Sequence, residues 1–139
     1  PGRTHRKRPC AFAVAARDDG RIACVQVTRA GRSWLDLPGG KIERGETETE
    51  ALVREFAEET GLSCRPGQLI VRTRQYLVTA KSKPRLNLSG YFVAAPLDSS
   101  GTAQESDHEL LWLEPLDAVR RLRDEAAALA VTLWLRASE

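Results

Sequence analysis

Long apolar runs are missing from this sequence, which has none approaching the ~20 consecutive residues that a transmembrane helix needs. Its basic amino terminus also lacks the apolar stretch of a secretory signal. Cysteine is scarce, and the three residues, Cys10, Cys24 and Cys64, are odd in number and form no C-x-x-C pair. This scarcity argues against a disulfide framework or a zinc site and favours a reducing compartment. We therefore expect a cytoplasmic protein with no membrane partner.

Charge is plentiful but unevenly distributed along the 139 residues. The chain has 21 lysines and arginines against 19 acidic residues, a net charge of +2. Residues 1–9 contain no acid, so the rest of the chain has 17 basic residues against the same 19 acids. The four basic residues of this segment are Arg3, Arg6, Lys7 and Arg8. We predict a disordered basic arm over residues 1–9 and one folded domain over residues 10–139. Such an arm leaves nucleic acid open as a partner.

Apolar blocks separated by turn residues indicate the order of strands and helices. Residues 10–16 and 22–28 flank an Asp-Asp-Gly turn and are typical of a β-hairpin. Helical patterns cover residues 48–60 and residues 116 to about 136, the second with a break near Asp124. Further strands are predicted over residues 34–37, 69–78, 86–95 and 110–113. This order predicts an α/β fold in which helices cover a mixed sheet.

The helix over residues 48–60 has clear boundaries and an acidic face. Thr47 and Glu50 have the T-x-x-E spacing of a capping box, and Gly61 suits the position that ends a helix. At ~100° per residue, one side of this helix is apolar and the adjoining side gathers three carboxylates: Glu55, Glu58 and Glu59. Unpaired carboxylates at this spacing repel one another, and a bound divalent cation removes the repulsion. Oxygen-only ligands favour Mg²⁺ or Mn²⁺, and a solvated acidic face is the alternative.

This helix lies inside a longer pattern that begins at Gly40. Gly40 is followed after five residues by Glu46, and after seven more by the run Arg54-Glu55-Phe56-x-Glu58-Glu59-x-Gly61-Leu62. The pattern resembles the Nudix box, G-x5-E-x7-R-E-U-x-E-E-x-G-U with U apolar, and every fixed position matches. At ordinary residue frequencies, a chance match is on the order of 10⁻⁹ per starting position. Phe56, at a position that is usually aliphatic, is a mild departure.

The resemblance implies a Nudix-type α/β/α sandwich around a mixed central sheet. It implies that the Gly39-Gly40 loop offers a backbone carbonyl to the metal, assigned here to Gly40. It implies that Arg54 orients the acidic cluster and that Glu46 holds the loop onto the helix. It also implies that one or more Mg²⁺ ions, which Mn²⁺ can replace, bind to the carboxylates of Glu55, Glu58 and Glu59.

The resemblance leaves open which residue accepts the proton of the attacking water. In some Nudix enzymes this general base is the first glutamate of the R-E pair, here Glu55, and in others it is an acid from a distant loop. The polar stretch before residue 110 offers Glu105, Asp107 and Glu109. We favour Glu105, because Glu109 adjoins a predicted strand.

Other residues near these motifs have two interpretations each. His108 lies among acids, and a surface position is expected in preference to a catalytic one. Trp34 is expected in the core or at its rim, with a place in the base pocket as the alternative. Three basic side chains are expected in a solvated hairpin loop: Lys81, Lys83 and Arg85. The alternative is that they bind phosphates of the substrate.

The resemblance therefore predicts a Mg²⁺-dependent hydrolase that cuts the diphosphate linkage of a small nucleotide substrate. A nucleoside or deoxynucleoside triphosphate, cleaved to a monophosphate and pyrophosphate, is the first expectation because the domain is small. Dinucleoside polyphosphates, nucleotide sugars and RNA 5′ ends are the alternatives within the family. A non-catalytic module that senses a nucleotide is the rival of another class, which the complete set of carboxylates disfavours. A homodimer is left open.

Overall fold

The computed structural model describes residues 6–78 and 82–139 of the chain. The helix predicted over residues 48–60 is present without a change of boundary. No helix in the described part of the chain is long and apolar enough to cross a membrane. Within these residues the elements follow in the order β1 (Arg6–Ala15), β2 (Ile22–Arg29), β3 (Arg32–Asp36), β4 (Gly39–Lys41), α1 (Glu48–Thr60), β5 (Leu62–Val78), β6 (Pro84–Ser99), β7 (His108–Leu113), α2 (Pro115–Arg121) and α3 (Glu125–Ala137).

The strands form two sheets that lie between the helices. The larger sheet has the order β4-β1-β6-β5 and is mixed, because β1 and β6 run parallel whereas its other pairs are antiparallel. The smaller sheet, β3-β2-β7, is antiparallel. α1 packs on one side through Leu52 and Phe56, and α2 and α3 pack on the other through alanines and Val131. The predicted α/β fold, a mixed sheet with covering helices, is confirmed.

β1 divides the core into two halves. Ala11, Ala13 and Ala15 belong to the cluster beneath α1, whereas Val14 belongs to the cluster beneath α2 and α3. The two-residue period of a strand produces this division. Because alanine side chains are small, α1 approaches the sheet closely and Phe56 is fully buried.

The hairpin predicted for residues 10–16 and 22–28 is wrong. β1 and β2 are joined at an isolated bridge between Ala16 and Ile22, but they belong to different sheets. The carboxyl-terminal half of β1 is buried on both faces, so it takes an inner position between β4 and β6.

Two further boundary predictions have different outcomes. β5 begins at Leu62 instead of residue 69 and continues through Pro66 by shifts of register against β6. The break predicted near Asp124 is confirmed, because the Asp124 side chain caps α3 by accepting a hydrogen bond from the Ala126 N–H at 2.9 Å.

The predicted boundary between arm and domain also moves. Residues 6–9, assigned to the arm, form the start of β1 and pair in register with β6 from Arg6 opposite Arg85. Hydrogen bonding along the whole ten-residue strand accounts for their order. Residues 1–5, with Arg3, lie outside the described residues, as does Lys81 of the predicted phosphate-gripping loop.

Candidate active site

A cavity of about 420 Å³ brings together residues from distant parts of the chain. Its walls come from α1, from β4, from the neighbouring strands β1 and β6, and from the segment around the start of β7. The residues predicted as metal ligands or as the favoured general base all line it: Gly40, Glu55, Glu58, Glu59 and Glu105. The fold thus assembles the candidate residues around one space, and their roles toward a metal stay predictions.

α1 is held at both ends by the residues expected to bound it. The Thr47 Oγ1 accepts a hydrogen bond from the Glu50 N–H at 3.1 Å, and the Glu50 carboxylate accepts one from the Thr47 N–H at 2.8 Å. Gly61 ends the helix in the left-handed conformation, with φ of 77°. Because the apolar face of α1 is packed on the sheet, its adjoining acidic face reaches the cavity.

β4 approaches α1 at two glycines. The Gly39 N–H donates a hydrogen bond to Glu59 Oε1 at 3.1 Å, and its φ of 147° is one that other residues rarely adopt. A Cβ on Gly40 would lie 2.8 Å from the Glu55 Cδ, so glycine leaves the room that this carboxylate occupies. The close backbone approach expected at Gly39 and Gly40 is therefore present.

Arg54 ties the segment before α1 to the acidic face of the helix. Its guanidinium donates to both carboxylate oxygens of Glu46, at 2.7 and 2.9 Å, and to the Lys41 carbonyl oxygen at 3.0 Å. It also donates to Glu55 Oε1 at 2.9 Å and lies 3.6 Å from a Glu58 oxygen. The expectation of unpaired carboxylates is therefore wrong for Glu55 and Glu58, because the Arg54 side chain lies along its own helix.

Glu59 is a buried carboxylate, with 8% of its surface exposed. Burial raises its pKa well above the ordinary value, the Gly39 N–H partly offsets the effect, and the charge of Glu55 adds to it. Burial also raises the pKa of Glu55, against the pull of the Arg54 guanidinium. Two neighbouring carboxylates whose ionised forms are both disfavoured fit a site that receives its counter-charge from a bound divalent cation.

His108 closes the cavity beside Glu59. The expectation of a surface position is wrong, because the His108 side chain is 7% exposed and lies 3.8 Å from a Glu59 oxygen. Its Nδ1 lies 2.7 Å from an oxygen of Asp107. His108 faces Val27 where β7 pairs with β2, and this pairing begins only at that residue. The sequence does not show the register that carries the ring inward.

The three candidate bases before residue 110 differ in their surroundings. Glu105 is anchored by its N–H, which donates to the Glu58 carbonyl oxygen at 2.8 Å, and its side chain is 42% exposed. Asp107 is engaged at 2.7 Å by Arg29 and also contacts His108. Glu109 is an exposed residue of β7, as its place next to the predicted strand suggested. Ligand atoms within 4.8 Å of one another belong to Glu105, Asp107 and His108.

The far end of the cavity contains an aromatic ring beside a carboxylate. The Trp34 Nε1 donates to Asp36 Oδ2 at 3.0 Å, and Arg123 donates to the same oxygen at 3.2 Å. The Arg123 guanidinium lies over the Trp34 ring, 4.7 Å from its centre. Burial raises the pKa of Asp36, and the charge of Arg123 opposes this rise. Asp36 and Arg123 were not predicted as site residues, although the Trp34-x-Asp36 spacing places two side chains on one face of a strand.

The floor of this end comes from β1 and β6. The rings of Phe12 and Tyr91 stack with centres 5.3 Å apart. The buried Oδ1 of Asn87 has no hydrogen-bond partner in the described part of the protein. An aromatic wall together with a free acceptor suits a flat, polar ring such as a nucleobase.

The sequence of this chain is similar to those of known proteins. The sequence profile of the NUDIX domain matches residues 6–135. An RNA pyrophosphohydrolase of Halorhodospira halophila is 39% identical over 70 residues, which are 50% of this chain and 38% of that protein. The phosphatase NudJ of Escherichia coli is 36% identical over 64 residues, which are 46% of this chain and 41% of that protein. The chain therefore spans less than half the length of these curated relatives.

Solved structures share the fold over nearly the whole chain. A NUDIX hydrolase from Nitrosomonas europaea superposes with a TM-score of 0.78 and 20% identity, covering 95% of this chain and 90% of that one. The solution structure of the E. coli ORF135 protein gives a TM-score of 0.73 and 25% identity, covering 97% and 94%. At this level of identity, the likeness to the first of these concerns the fold alone.

Proposed function

Because this chain belongs to the NUDIX domain family, we propose that it is a divalent-metal-dependent hydrolase that cuts the diphosphate linkage of a nucleoside or deoxynucleoside triphosphate. The products are a nucleoside monophosphate and pyrophosphate. The observation that carries the proposal is the meeting of four carboxylates in one cavity that also holds an aromatic pocket: Glu55, Glu58, Glu59 and Glu105.

The ligands of the metal are assigned by the family pattern and by the fit of the site. The backbone carbonyl of Gly40 and the carboxylates of Glu55, Glu58 and Glu59 would hold Mg²⁺, or Mn²⁺ in its place. When bound, such an ion neutralises phosphate oxygens and lowers the pKa of a bound water. The half-buried Glu55 and the buried Glu59 support this assignment, because burial raises the pKa of both carboxyl groups and their ionised forms need a counter-charge.

Glu105 is our choice for the group that removes the proton of the attacking water. It lines the cavity, and its carboxylate is open to solvent, so a water can reach it. Glu55 is the competing choice, but Arg54 occupies one of its oxygens at 2.9 Å. Arg54 therefore acts as a positioning residue, which holds Glu55 toward the cavity and links it to Glu46.

The far end of the cavity favours a nucleotide over a plain diphosphate. Trp34, with the Arg123 guanidinium over its ring, forms part of the wall at this end. Asp36 and Asn87 offer acceptor oxygens for base or sugar donors. The names of the relatives, an RNA pyrophosphohydrolase and a phosphatase, support phosphate release at such a site. Dinucleoside polyphosphates, nucleotide sugars and RNA 5′ ends remain the alternatives within the family. The complete carboxylate set disfavours a module that only senses nucleotides.

The test is a hydrolysis screen over nucleoside triphosphates, dinucleoside polyphosphates and nucleotide sugars, run with Mg²⁺ and again in excess chelator. We expect turnover of triphosphates to pyrophosphate with Mg²⁺, loss of turnover in chelator, and recovery when Mg²⁺ or Mn²⁺ is added back. Undiminished turnover in chelator would remove the metal from the proposal. Tight nucleotide binding without turnover of any substrate in the panel would favour the sensing module.

A further inference from the structure

Five cations line a second hollow, of about 230 Å³, at the start of β1. We call them the basic strip: Arg6, Lys7, Arg8, Lys41 and Arg85. The cavity of about 420 Å³ that Glu55, Glu58 and Glu59 line is called the acidic cavity below. Arg8 and Lys41 line both hollows, so the two adjoin.

The basic strip has no acid to neutralise it. Within residues 6–78 and 82–139, none of its five side chains forms an ion pair, whereas Arg54 and Arg72 are paired with glutamates. Residues 1–5 and 79–81 contain no aspartate or glutamate that supplies one. A concave surface with five unneutralised cations attracts a ligand that carries several negative charges.

The pairing of β1 makes the strip and the acidic cavity one continuous surface. Even-numbered residues of β1 share a face, so Arg6, Arg8 and Phe12 project to the same side. Their in-register partners on β6 project with them, Arg85 beside Arg6 and Tyr91 beside Phe12. From Phe12 to Arg6 this surface is about 20 Å long, at about 3.3 Å per residue of strand.

The middle of this surface is Cys10, where the acidic and basic groups meet. Burial raises the pKa of the Cys10 thiol, and the charges that act on it come from both sides, from Glu55 and from the strip cations Arg8, Arg85 and Lys41. A ligand that crosses Cys10 therefore passes directly from the carboxylate site to the strip.

We infer that the basic strip binds the phosphodiester backbone of a single-stranded RNA whose 5′-terminal triphosphate occupies the acidic cavity. The inference rests on the proposed function and specifies its substrate class. A free triphosphate is too short to occupy both hollows. A molecule that has a diphosphate linkage followed by a chain of phosphodiesters is an RNA that retains the triphosphate of its first nucleotide. Arginines and lysines on a strand contact such a backbone without reading its sequence.

The test compares free nucleotide with a short 5′-triphosphorylated oligoribonucleotide in the double variant Arg6→Gln/Arg85→Gln. Both residues belong to the strip and neither lines the acidic cavity. We expect kcat/KM for the oligoribonucleotide to fall at least tenfold, mainly through KM, while kcat/KM for free triphosphate stays within twofold. The slope of log affinity against log salt for RNA should become shallower by about 1.4, since each lost contact to single-stranded phosphate contributes about 0.7.

Three controls make the result specific to the strip. Arg65→Gln/Arg136→Gln removes the same charge from two exposed arginines outside both hollows and should leave RNA turnover near the wild-type value. Arg6→Lys/Arg85→Lys keeps the charges and should restore most of the RNA affinity. Melting curves of all variants identify any loss of folding caused by substitution in β1.

Binding without turnover separates this inference from the proposed function. Fluorescence anisotropy with a labelled 5′-monophosphorylated oligoribonucleotide, in chelator, measures the strip alone. If the protein hydrolyses triphosphates but the wild type and the Arg6→Gln/Arg85→Gln variant bind RNA with equal affinity, the inference is overturned and the proposed function stands. The inference is also overturned if RNA affinity falls equally in the Arg6→Gln/Arg85→Gln variant and in the Arg65→Gln/Arg136→Gln control. It is overturned as well if inorganic polyphosphate displaces the labelled oligoribonucleotide and unlabelled RNA does not. RNA affinity that depends on the strip, without hydrolysis of any nucleotide, supports the strip and removes the proposed function.

Discussion

α1 and α3 are helices of equal length on opposite sides of the sheets, and their sequences serve different ends. Each has thirteen residues and an amino-terminal side-chain cap, Thr47 for α1 and Asp124 for α3. The buried residues of α3 are alanines and Val131, so its inner face only packs. The buried residues of α1 include Glu59, whose ionised form is disfavoured where it lies. Helices built by the same local rules therefore differ in the buried face, which is apolar in α3 and includes an ionisable carboxyl group in α1.

The largest contrast is expected when one acid is neutralised on each helix. Glu58→Gln on α1 should lower kcat at least 100-fold, or about 2.7 kcal/mol of transition-state stabilisation, because it removes a proposed metal ligand. Glu125→Gln on the exposed first turn of α3 is the matched control and should leave kcat unchanged. The measurement is kcat at saturating Mg²⁺.

The melting temperature of Glu58→Gln without metal distinguishes a binding role of the acidic face from a structural one. Glutamine keeps the size and helix propensity of glutamate and relieves repulsion of a few tenths of a kcal/mol per like-charge pair. The substitution also removes the 3.6 Å ion pair of Glu58 with Arg54, a loss of similar size and opposite sign. Glu58→Gln should therefore leave the metal-free Tm nearly unchanged. A variant that melts several degrees lower yet retains near-normal kcat would show that the acidic face of α1 is scaffolding, as the inner face of α3 is.

A second contrast appears in the pH dependence of the metal-free protein. The pKa of Glu59 in the folded state is raised above its unfolded value near 4.5. Above pH 4.5 the unfolded state therefore loses the proton of Glu59, whereas the folded state keeps it. The free energy of unfolding should fall with rising pH above that value, by up to about 1.4 kcal/mol per unit, until the folded group ionises. Urea unfolding in chelator at several pH values measures the slope, and Glu59→Gln should flatten it. Equal slopes in the two proteins would mean that Glu59 is ionised in the folded state.

The smallest effects are expected at the two helix caps. Thr47→Ala and Asp124→Ala should each lower the free energy of unfolding by about 1 kcal/mol, the usual value for a lost cap. The cap of α3 also accepts a hydrogen bond from Gln75 Nε2 at 3.0 Å and lines the cavity. Asp124→Ala should therefore raise KM for the nucleotide, whereas Thr47→Ala should change stability alone. An unchanged KM in Asp124→Ala would place the ligand away from that wall.

Local patterns predicted α1 and its surroundings, because the information lies within a few turns of chain. The capping box at Thr47, the end at Gly61 and the carboxylates between them depend on spacings of three and four residues. The family resemblance gave Arg54 and Glu46 separate roles, and their pairing across eight residues was not predicted.

Long-range pairings were the part that the sequence did not reveal. β1 was predicted beside β2, its neighbour in sequence, although its burial on both faces places it next to β6. The same pairing orders residues 6–9, which charge alone had assigned to a disordered arm. Asp36 and Arg123 meet because the segment after α2 bonds to β3, through the Arg123 N–H and the Leu35 carbonyl oxygen at 3.0 Å. Contacts of this kind depend on topology, which periodicity does not encode.

The parallel pairing of β1 with β6 also has a consequence for the order in which the protein forms during synthesis. β1 is made first, but its inner neighbour emerges only after β2, β3, α1 and β5 have been translated. At about 5–20 residues per second, β1 waits several seconds with apolar side chains on both faces exposed. Pairing across so long a loop is also slow once β6 is available. Since β1 forms a wall of the cavity, the nascent chain gains a complete site late and is most prone to aggregate before that point.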